Sequence, residues 1–357
     1  MAMPGNLLIC TNSDHRLKAG EICTRINHVT SVFFDRFADM PVFLAPMAGI
    51  SDVPFRNLVL KFGAGLVVSE MVASGEFMTA RPSARLRAEL GLDQGRTAVQ
   101  IAGREPGLMA ECARMVAGNG AQIIDINMGC PAKKVTSGAS GSALMKEPAL
   151  ALSLIEAVVG AVDLPVTLKM RLGWDDACLN APDLARAAET AGVQMITIHG
   201  RTRCQFYKGH ADWAAIGRVV NAVSIPVVAN GDIICPKTAA QALAQSGAAA
   251  VMVGRGAEGQ PWMLKAIADT LAGRIPDAAP DPAARVGIIL AHYEAILAHY
   301  GTALGVRVAR KHLGWYLDRI PGAEAIRQEV FRLASPEAVI AALTRIQDLP
   351  DIARDAA

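Results

Sequence analysis

The sequence predicts an α/β protein, a TIM (β/α)8 barrel followed by a small C-terminal helical bundle. Between Pro41 and Gly256 one theme recurs eight times: a short β-branched or apolar run, then a helical stretch rich in Ala, Leu, Arg and Glu. Several runs follow Gly63-Ala64, Gly120-Ala121, Gly192-Val193 or Gly247-Ala248, the punctuation expected where a helix C-cap turns tightly into a parallel strand. Every run also ends in polar or special residues, as if all eight carboxyl ends faced one site. Eight units over about 215 residues suit a barrel of roughly 250. A doubly wound open sheet is the alternative architecture.

Residues 1–40 lack the repeat and read as an N-terminal extension. The first two runs are VFLAP (Val42 to Pro46) and GLVVSE (Gly65 to Glu70). The third, TAVQIA (Thr97 to Ala102), carries Gln100, a lone amide in an apolar strand that needs partners of its own; a planar ligand with carbonyl and imide edges would supply them. The fourth, QIIDIN (Gln122 to Asn127), halts at Asn127, Gly129, Cys130 and Pro131. Its next side chains therefore sit on a loop at the sheet's edge, where α/β enzymes keep their chemistry.

In the fifth run, PVTLKMR (Pro165 to Arg171), Lys169 and Arg171 alternate with Thr167, so both charges point the same way, into the barrel mouth. A lysine buried there is costly unless it meets an anion. The sixth, QMITIHG (Gln194 to Gly200), ends on His199 beside Arg201 and Arg203. The seventh, PVVANGD (Pro226 to Asp232), leaves Asn230, Gly231 and Asp232. The eighth, AAVMVGRG (Ala249 to Gly256), leaves Gly254, Arg255 and Gly256. Barrels commonly hold a phosphate after these two strands; the glycines let backbone approach an oxyanion and Arg255 adds a charge-assisted bond.

The barrel is thus assigned to residues 41–272. GRIPDAAPDPAAR (273–285) has no periodicity and reads as a linker. Residues 286–357 form the bundle. Val286, Ile289, Leu290, Tyr293, Ile296, Leu297 and Tyr300 recur at helical spacing until Gly301, and three more helices follow, the last with Ser335 as N-cap and Pro336 in its first turn.

The chain of 357 residues is 52% apolar and 19% charged, enough to bury a full core. No uncharged apolar stretch reaches membrane-spanning length, and the first residues have too short an apolar core for a signal peptide. A cytoplasmic protein without a membrane partner is expected, and a monomer. The cysteines (Cys10, Cys23, Cys112, Cys130, Cys178, Cys204, Cys235) are odd in number and never spaced C-x-x-C, against a disulfide framework or a zinc site; no metal is expected. A net charge of +2 means that any polyanion must be held by a local basic patch. Arg307, Arg310 and Lys311 cluster within about a helical turn, with Arg319, Arg327 and Arg332 further along.

At these residues the chain resembles the flavin-dependent tRNA-dihydrouridine synthases, and among them the bacterial B branch. The motifs APMAGISDVPFR, VSEM, VQIAG, IIDINMGCPAKKV, GSALM, PVTLKMR, TIHGRTR, YKGHADW, IPVVANGDI and VGRGAEGQPW cover nearly all of Pro41 to Trp262, and RVARKHLGWYL extends the likeness into the helices. The resemblance implies a barrel holding FMN, a helical domain that helps grip tRNA, and NADPH, or NADH, as reductant. It assigns FMN to Pro46, Met47, Ala48, Gln100, Lys169, His199, Asn230, Gly231, Asp232, Gly254 and Arg255. Cys130 is implied as proton donor, with Asn127, Arg171, Arg201, Arg307, Arg310 and Lys311 as substrate contacts. The reaction implied is reduction of D-loop uridines to 5,6-dihydrouridine, hydride from flavin to C6 and proton from Cys130 to C5. A thiol of ordinary pKa, near roughly 8.5, is protonated at neutral pH and can act as general acid. Two departures stand out: residues 1–40 have no clear counterpart, and KKVTSGASGSALM is sparse in basic residues after Val135. A small-molecule flavin oxidoreductase of the dihydroorotate kind is the rival enzyme, and a noncatalytic RNA-binding barrel the rival of another class.

Overall fold

A computed structural model of the chain describes residues 32–79 and 86–349. The predicted runs become β1 (Val42–Leu44), β2 (Leu66–Val68), β4 (Thr97–Ala102), β5 (Ile124–Met128), β6 (Val166–Arg171), β7 (Met195–His199), β8 (Val227–Asn230) and β9 (Ala250–Val253). They pair in parallel, and the β2–β4 pairing closes the eight into a barrel. A two-residue strand, β3 (Val72–Ala73), was not predicted; it adds to the carboxyl end of β4, Val72 opposite Ile101.

Successive side chains on a strand face opposite ways, and here the two faces differ in chemistry. Val42, Leu44, Val99, Ile101, Ile124 and Ile126 belong to the large outer core beneath the helices. The opposite face lines the barrel. At its amino end the lining is apolar, with Phe43, Leu66, Ala98, Ile123, Val228 and Ala250 packed with Phe33, Phe34 and Phe37. Phe37 stacks edge-on against Phe43 at 5.5 Å; burying such a ring stabilises by roughly 2–3 kcal/mol. Most of the expected extension, residues 1–31, lies outside the described residues, but Phe33, Phe34 and Phe37 form the barrel's floor. Toward the carboxyl end the lining turns polar, with Gln100, Asp125, Asn127, Thr167, Lys169 and Arg171 all buried.

The helices α1 (Val53–Lys61), α2 (Pro106–Gly118), α3 (Pro148–Val159), α4 (Ala181–Thr190), α5 (Trp213–Val220), α6 (Pro236–Ser246) and α7 (Met263–Leu271) surround the sheet. The four glycines expected at turns into strands do adopt left-handed φ, 83°, 96°, 103° and 67° at Gly63, Gly120, Gly192 and Gly247.

Four helices follow: α8 (Pro282–Tyr300), α9 (Thr302–Leu317), α10 (Glu324–Val330) and α11 (Pro336–Thr344). The linker expected over 273–285 is shorter than that, because Asp281 caps α8 by accepting from the Ala284 amide at 2.7 Å, which starts the helix at Pro282. Ser335 caps α11 as predicted, accepting from the Ala338 amide. The bundle has its own core, including Val286, Tyr293, Val306, Leu313, Val330 and Leu343. It sits on the barrel through Tyr300, whose hydroxyl donates to Asp52 at 3.0 Å, and through Gly259, where a Cβ would lie 2.2 Å from the Trp315 carbonyl oxygen of α9.

Candidate active site

Register sets the polar residues of the mouth side by side. Gln100 lies opposite Asp125, and Asp125 opposite Thr167; Asn127 lies opposite Lys169; Arg171 lies opposite His199, and His199 opposite Asn230. All come from inward positions two residues apart, so the barrel itself assembles them.

Lys169 is buried, and its ammonium donates to Asn230 Oδ1 at 3.0 Å. Burial, then the neighbouring Arg171, push its pKa down to about 8, while Asp125 and Cys130 oppose the shift. The charged ammonium thus has one neutral amide as hydrogen-bond partner among the described residues and N–H directions to spare. Asn230 is itself fixed, donating to the Met252 carbonyl at 2.8 Å.

Gln100 finds the partners that the sequence reading left to a ligand. Its Nε2 donates to Asp125 Oδ2 and its Oε1 accepts from Asn127 Nδ2, both at 2.7 Å. Asn127 in turn ends the strand as a local cap, its Oδ1 accepting from the backbone N–H groups of Gly129 at 3.1 Å and Cys130 at 3.0 Å. Cys130 is a free, half-buried thiol. Its carbonyl accepts from Ser142 N and Oγ, and Gly141, at φ 60°, leaves no room for a Cβ, which would stand 2.8 Å from that carbonyl.

Two arginines expected to meet substrate are occupied by protein. Arg171 donates to the carbonyls of Gly129, Thr202 and Phe206 at 2.8–2.9 Å, tying the Cys130 loop to the loop after β7. Arg201 clasps both oxygens of Asp232, the carbonyls of Lys208 and Gly209, and His199 Nε2. Since a guanidinium only donates, His199 Nε2 is the acceptor there. The imidazole is neutral and carries its proton on Nδ1. Burial, then Lys169, Arg171, Arg201 and Arg255, hold its pKa well below the usual histidine value, in keeping with that.

The loop after β9 abuts the loop after β1. Ala45 N donates to the Val253 carbonyl, and a Cβ on Gly254 would find only Met47 Sδ at 3.7 Å and Ala45 Cβ at 3.8 Å. Pro46, Met47 and Ala48 therefore share one rim with Gly254 and Arg255. Gly231, at φ 115°, has His199 and Ala211 where a Cβ would be, and Asp232 follows at φ 54°. Arg255 is exposed and lies over the ring of Tyr207, 5.4 Å from its centroid; Arg171 approaches the same ring at 5.7 Å. The donor set, with Arg171 and Arg201 engaged by protein and Lys169 and Arg255 turned to the mouth, fits a phosphate beside an electron-rich ring edge.

The basic trio on α9 does not act as one surface. Arg307 is exposed, Arg310 donates to the Leu333 carbonyl at 3.2 Å, and Lys311 Nζ comes within 3.6 Å of the place a Gly49 Cβ would take, over the loop after β1. Asp125, Tyr207 and Glu70, whose carboxylate accepts the Gly49 amide, were not singled out from sequence. Alternation in IIDIN would have placed Asp125 on the face of Asn127. Among the described residues no group of His, Cys, Asp and Glu could hold a metal ion, and no helix is long and apolar enough to cross a membrane.

A closed parallel barrel with a cationic, polar carboxyl end and a half-buried thiol on its rim is the architecture of a TIM-barrel enzyme. Residues 43–352 match the family model described as dihydrouridine synthase, and the chain belongs to that family. It is 61% identical over 304 residues to a probable tRNA-dihydrouridine synthase of Rhodobacter capsulatus, covering 85% of this chain and 93% of that one. A probable tRNA-dihydrouridine synthase of Rickettsia conorii is 53% identical over 84% of this chain and 90% of its own. The tRNA-dihydrouridine synthase B of Pseudomonas aeruginosa is 47% identical, over 85% and 91%.

Proposed function

We propose that this enzyme reduces D-loop uridines of tRNA to 5,6-dihydrouridine, using FMN and NADPH, with NADH as the alternative reductant. The observation that carries the reading is Lys169, a buried cation whose hydrogen-bond partner is a neutral amide, in a mouth shared with the thiol of Cys130. Pro46, Met47, Ala48, Lys169, Asn230, Gly231, Gly254 and Arg255 would hold FMN, while Gln100 and Asp232, expected as cofactor contacts, are engaged by protein and would support that site from behind. When bound, the reduced flavin supplies the hydride for uracil C6.

The chain's own residues do the rest. Cys130 holds the proton destined for C5 and is positioned by Asn127 and Arg171. Lys169 places a positive charge where negative charge develops on reduction. His199, neutral, offers an N–H and not an acid. Asp232 serves by holding Arg201. Residues 41–272 are the catalytic barrel, and the bundle that begins at Pro282 is the tRNA-binding part of a cytoplasmic, monomeric enzyme. A flipped nucleotide costs a few kcal/mol to extrude, which binding to the bundle would offset.

The test is to purify the protein, record its flavin spectrum, and incubate it anaerobically with NADPH and unmodified tRNA. Dihydrouridine in the tRNA, mapped to D-loop positions, is expected. Colourless protein, or turnover of free pyrimidines with tRNA untouched, would overturn the reading.

A further inference from the structure

We infer that Asp125 is a positioning residue for Cys130, acting through two side-chain amides whose orientation it dictates. As a statement about the Cys130 loop this needs no ligand; its meaning for catalysis rests on the function proposed above.

A line of hydrogen bonds runs across three strands. Thr167 Oγ1 donates to Asp125 Oδ1 at 2.6 Å, Gln100 Nε2 donates to Asp125 Oδ2 at 2.7 Å, and Asn127 Nδ2 donates to Gln100 Oε1 at 2.7 Å. Asn127 Oδ1 then takes the N–H groups of Gly129 and Cys130. Each side-chain amide has a donor end and an acceptor end, so the line has a direction. A carboxylate only accepts, which forces Gln100 to turn its NH2 toward Asp125 and its oxygen toward Asn127. Asn127 must then give its NH2 to Gln100, leaving its oxygen for the loop. Backbone N–H groups only donate, so the far end demands the same direction. Both termini agree, and the two amides between them are locked.

Asp125, Gln100 and Asn127 are all buried, so a reversed amide would face donor with donor or acceptor with acceptor away from water, the costly arrangement. Of the groups around it, Thr167 and Gln100 bond the Asp125 carboxylate, and Lys169 lies near but spends its hydrogen bond on Asn230. The mechanism gives Asp125 no contact with the reacting atoms. Its work is to keep an acceptor under the Cys130 amide.

Asp125→Ala and Asp125→Asn separate this from bulk stability. The readouts are amide hydrogen exchange of the segment 128–132 and the rate of iodoacetamide alkylation at Cys130, with Cys204, which is exposed, as internal control. Asp125→Ala removes the acceptor, and exchange at Gly129 and Cys130 should rise about tenfold with altered Cys130 alkylation and an unchanged Cys204. Asp125→Asn should stay near the parent, because its oxygen can still take the Gln100 N–H while its NH2 faces the Thr167 hydroxyl, which can accept. Parent-like exchange in Asp125→Ala, or equal loss in both variants, overturns the inference. Should Asp125→Ala fail to fold, Gln100→Leu breaks the next link and is expected to show the same loss; parent-like exchange there overturns it equally. A single-turnover arm with reduced enzyme and tRNA keeps the two ideas apart: a loosened loop with unslowed flavin reoxidation leaves the positioning intact and removes Cys130 as the acid.

Discussion

Cys130 stands on a loop held from three sides, by Asn127 beneath its amide, by Ser142 on its carbonyl and by Arg171 on the Gly129 carbonyl. None of these bonds uses the sulfur, so Cys130→Ala should fold and take up flavin and NADPH electrons as the parent does. Anaerobic single-turnover mixing with unmodified tRNA should find flavin reoxidation slowed by about 100-fold to 10,000-fold, the range for a lost general acid. Cys130→Ser, a far weaker acid, should rescue little. Parent rates in both would mark the thiol as structural, and the neutral His199 is then a poor substitute donor. Arg255, exposed and without an acidic partner in its described hydrogen bonds, is the residue whose loss should loosen the cofactor. For Arg255→Ala, flavin released on dilution should reveal affinity weaker by about tenfold or more, since a charge-assisted bond contributes roughly 1.5–3 kcal/mol. At this scale the sequence made the residue types and strand ends legible, because Lys169 and Arg171 follow from alternation and Asn230 from the end of its run. Partnership was not legible: Gln100 and Arg201 look as available in one dimension as Lys169 does, and only the barrel's closure brings Asp125 and Asp232 to them.

Helices α8 and α9 bury a pair of histidines against α1. His292 and His312 lie 4.8 Å apart, both near the ring of Phe55, with Tyr316 on His292 Nδ1 and Lys311 close by. Neither Nε2 has a hydrogen-bond partner among the described residues. Burial, then Lys311, lowers His292 to about 3, and burial, then His292 and Lys311, carries His312 well below its usual value. Both are therefore neutral when folded, whereas the unfolded chain protonates them as pH falls through about 6.5. Stability is fully present above that pH and is lost as pH drops toward the folded values, by up to about 1.4 kcal/mol per pH unit per histidine. Urea midpoints at pH 7.5 and 5.5 should show this loss, and a His312→Phe variant should lose less across the same interval. An unchanged difference in the variant would move the pH sensitivity elsewhere. The helices themselves were legible, from apolar spacing and from Ser335 and Gly301 as punctuation. The early start of α8 was not, since Asp281 reads equally as loop residue or cap until its amide partner is seen.

The whole molecule places the bundle on the rim of the barrel mouth and not at a distance from it. Tyr300 reaches Asp52, Lys311 hangs over the loop after β1, and α9 lies so close to Gly259 that the loop carrying Arg255 is braced from behind, with Arg319 donating to the Glu258 carbonyl. The barrel and the bundle could be told apart in sequence by the break after Gly273, but their docking could not, because it depends on single contacts such as Gly259 that carry no periodic signal. With a net charge of only +2, the grip on a polyanion has to come from local cations near this rim. The structure narrows which they are. Arg310 is spent on the Leu333 carbonyl, so Arg310→Ala should lower stability, whereas Arg307 is exposed on α9. Arg307→Ala should therefore weaken tRNA binding and reduce the slope of log K against log salt by about one, with flavin content and NADPH oxidation at parent level. Binding isotherms at several salt concentrations check it directly: an unchanged slope would make Arg307 a solvated surface charge and shift the tRNA path toward Lys311 and the loop after β1, where Lys311→Ala is the next measurement.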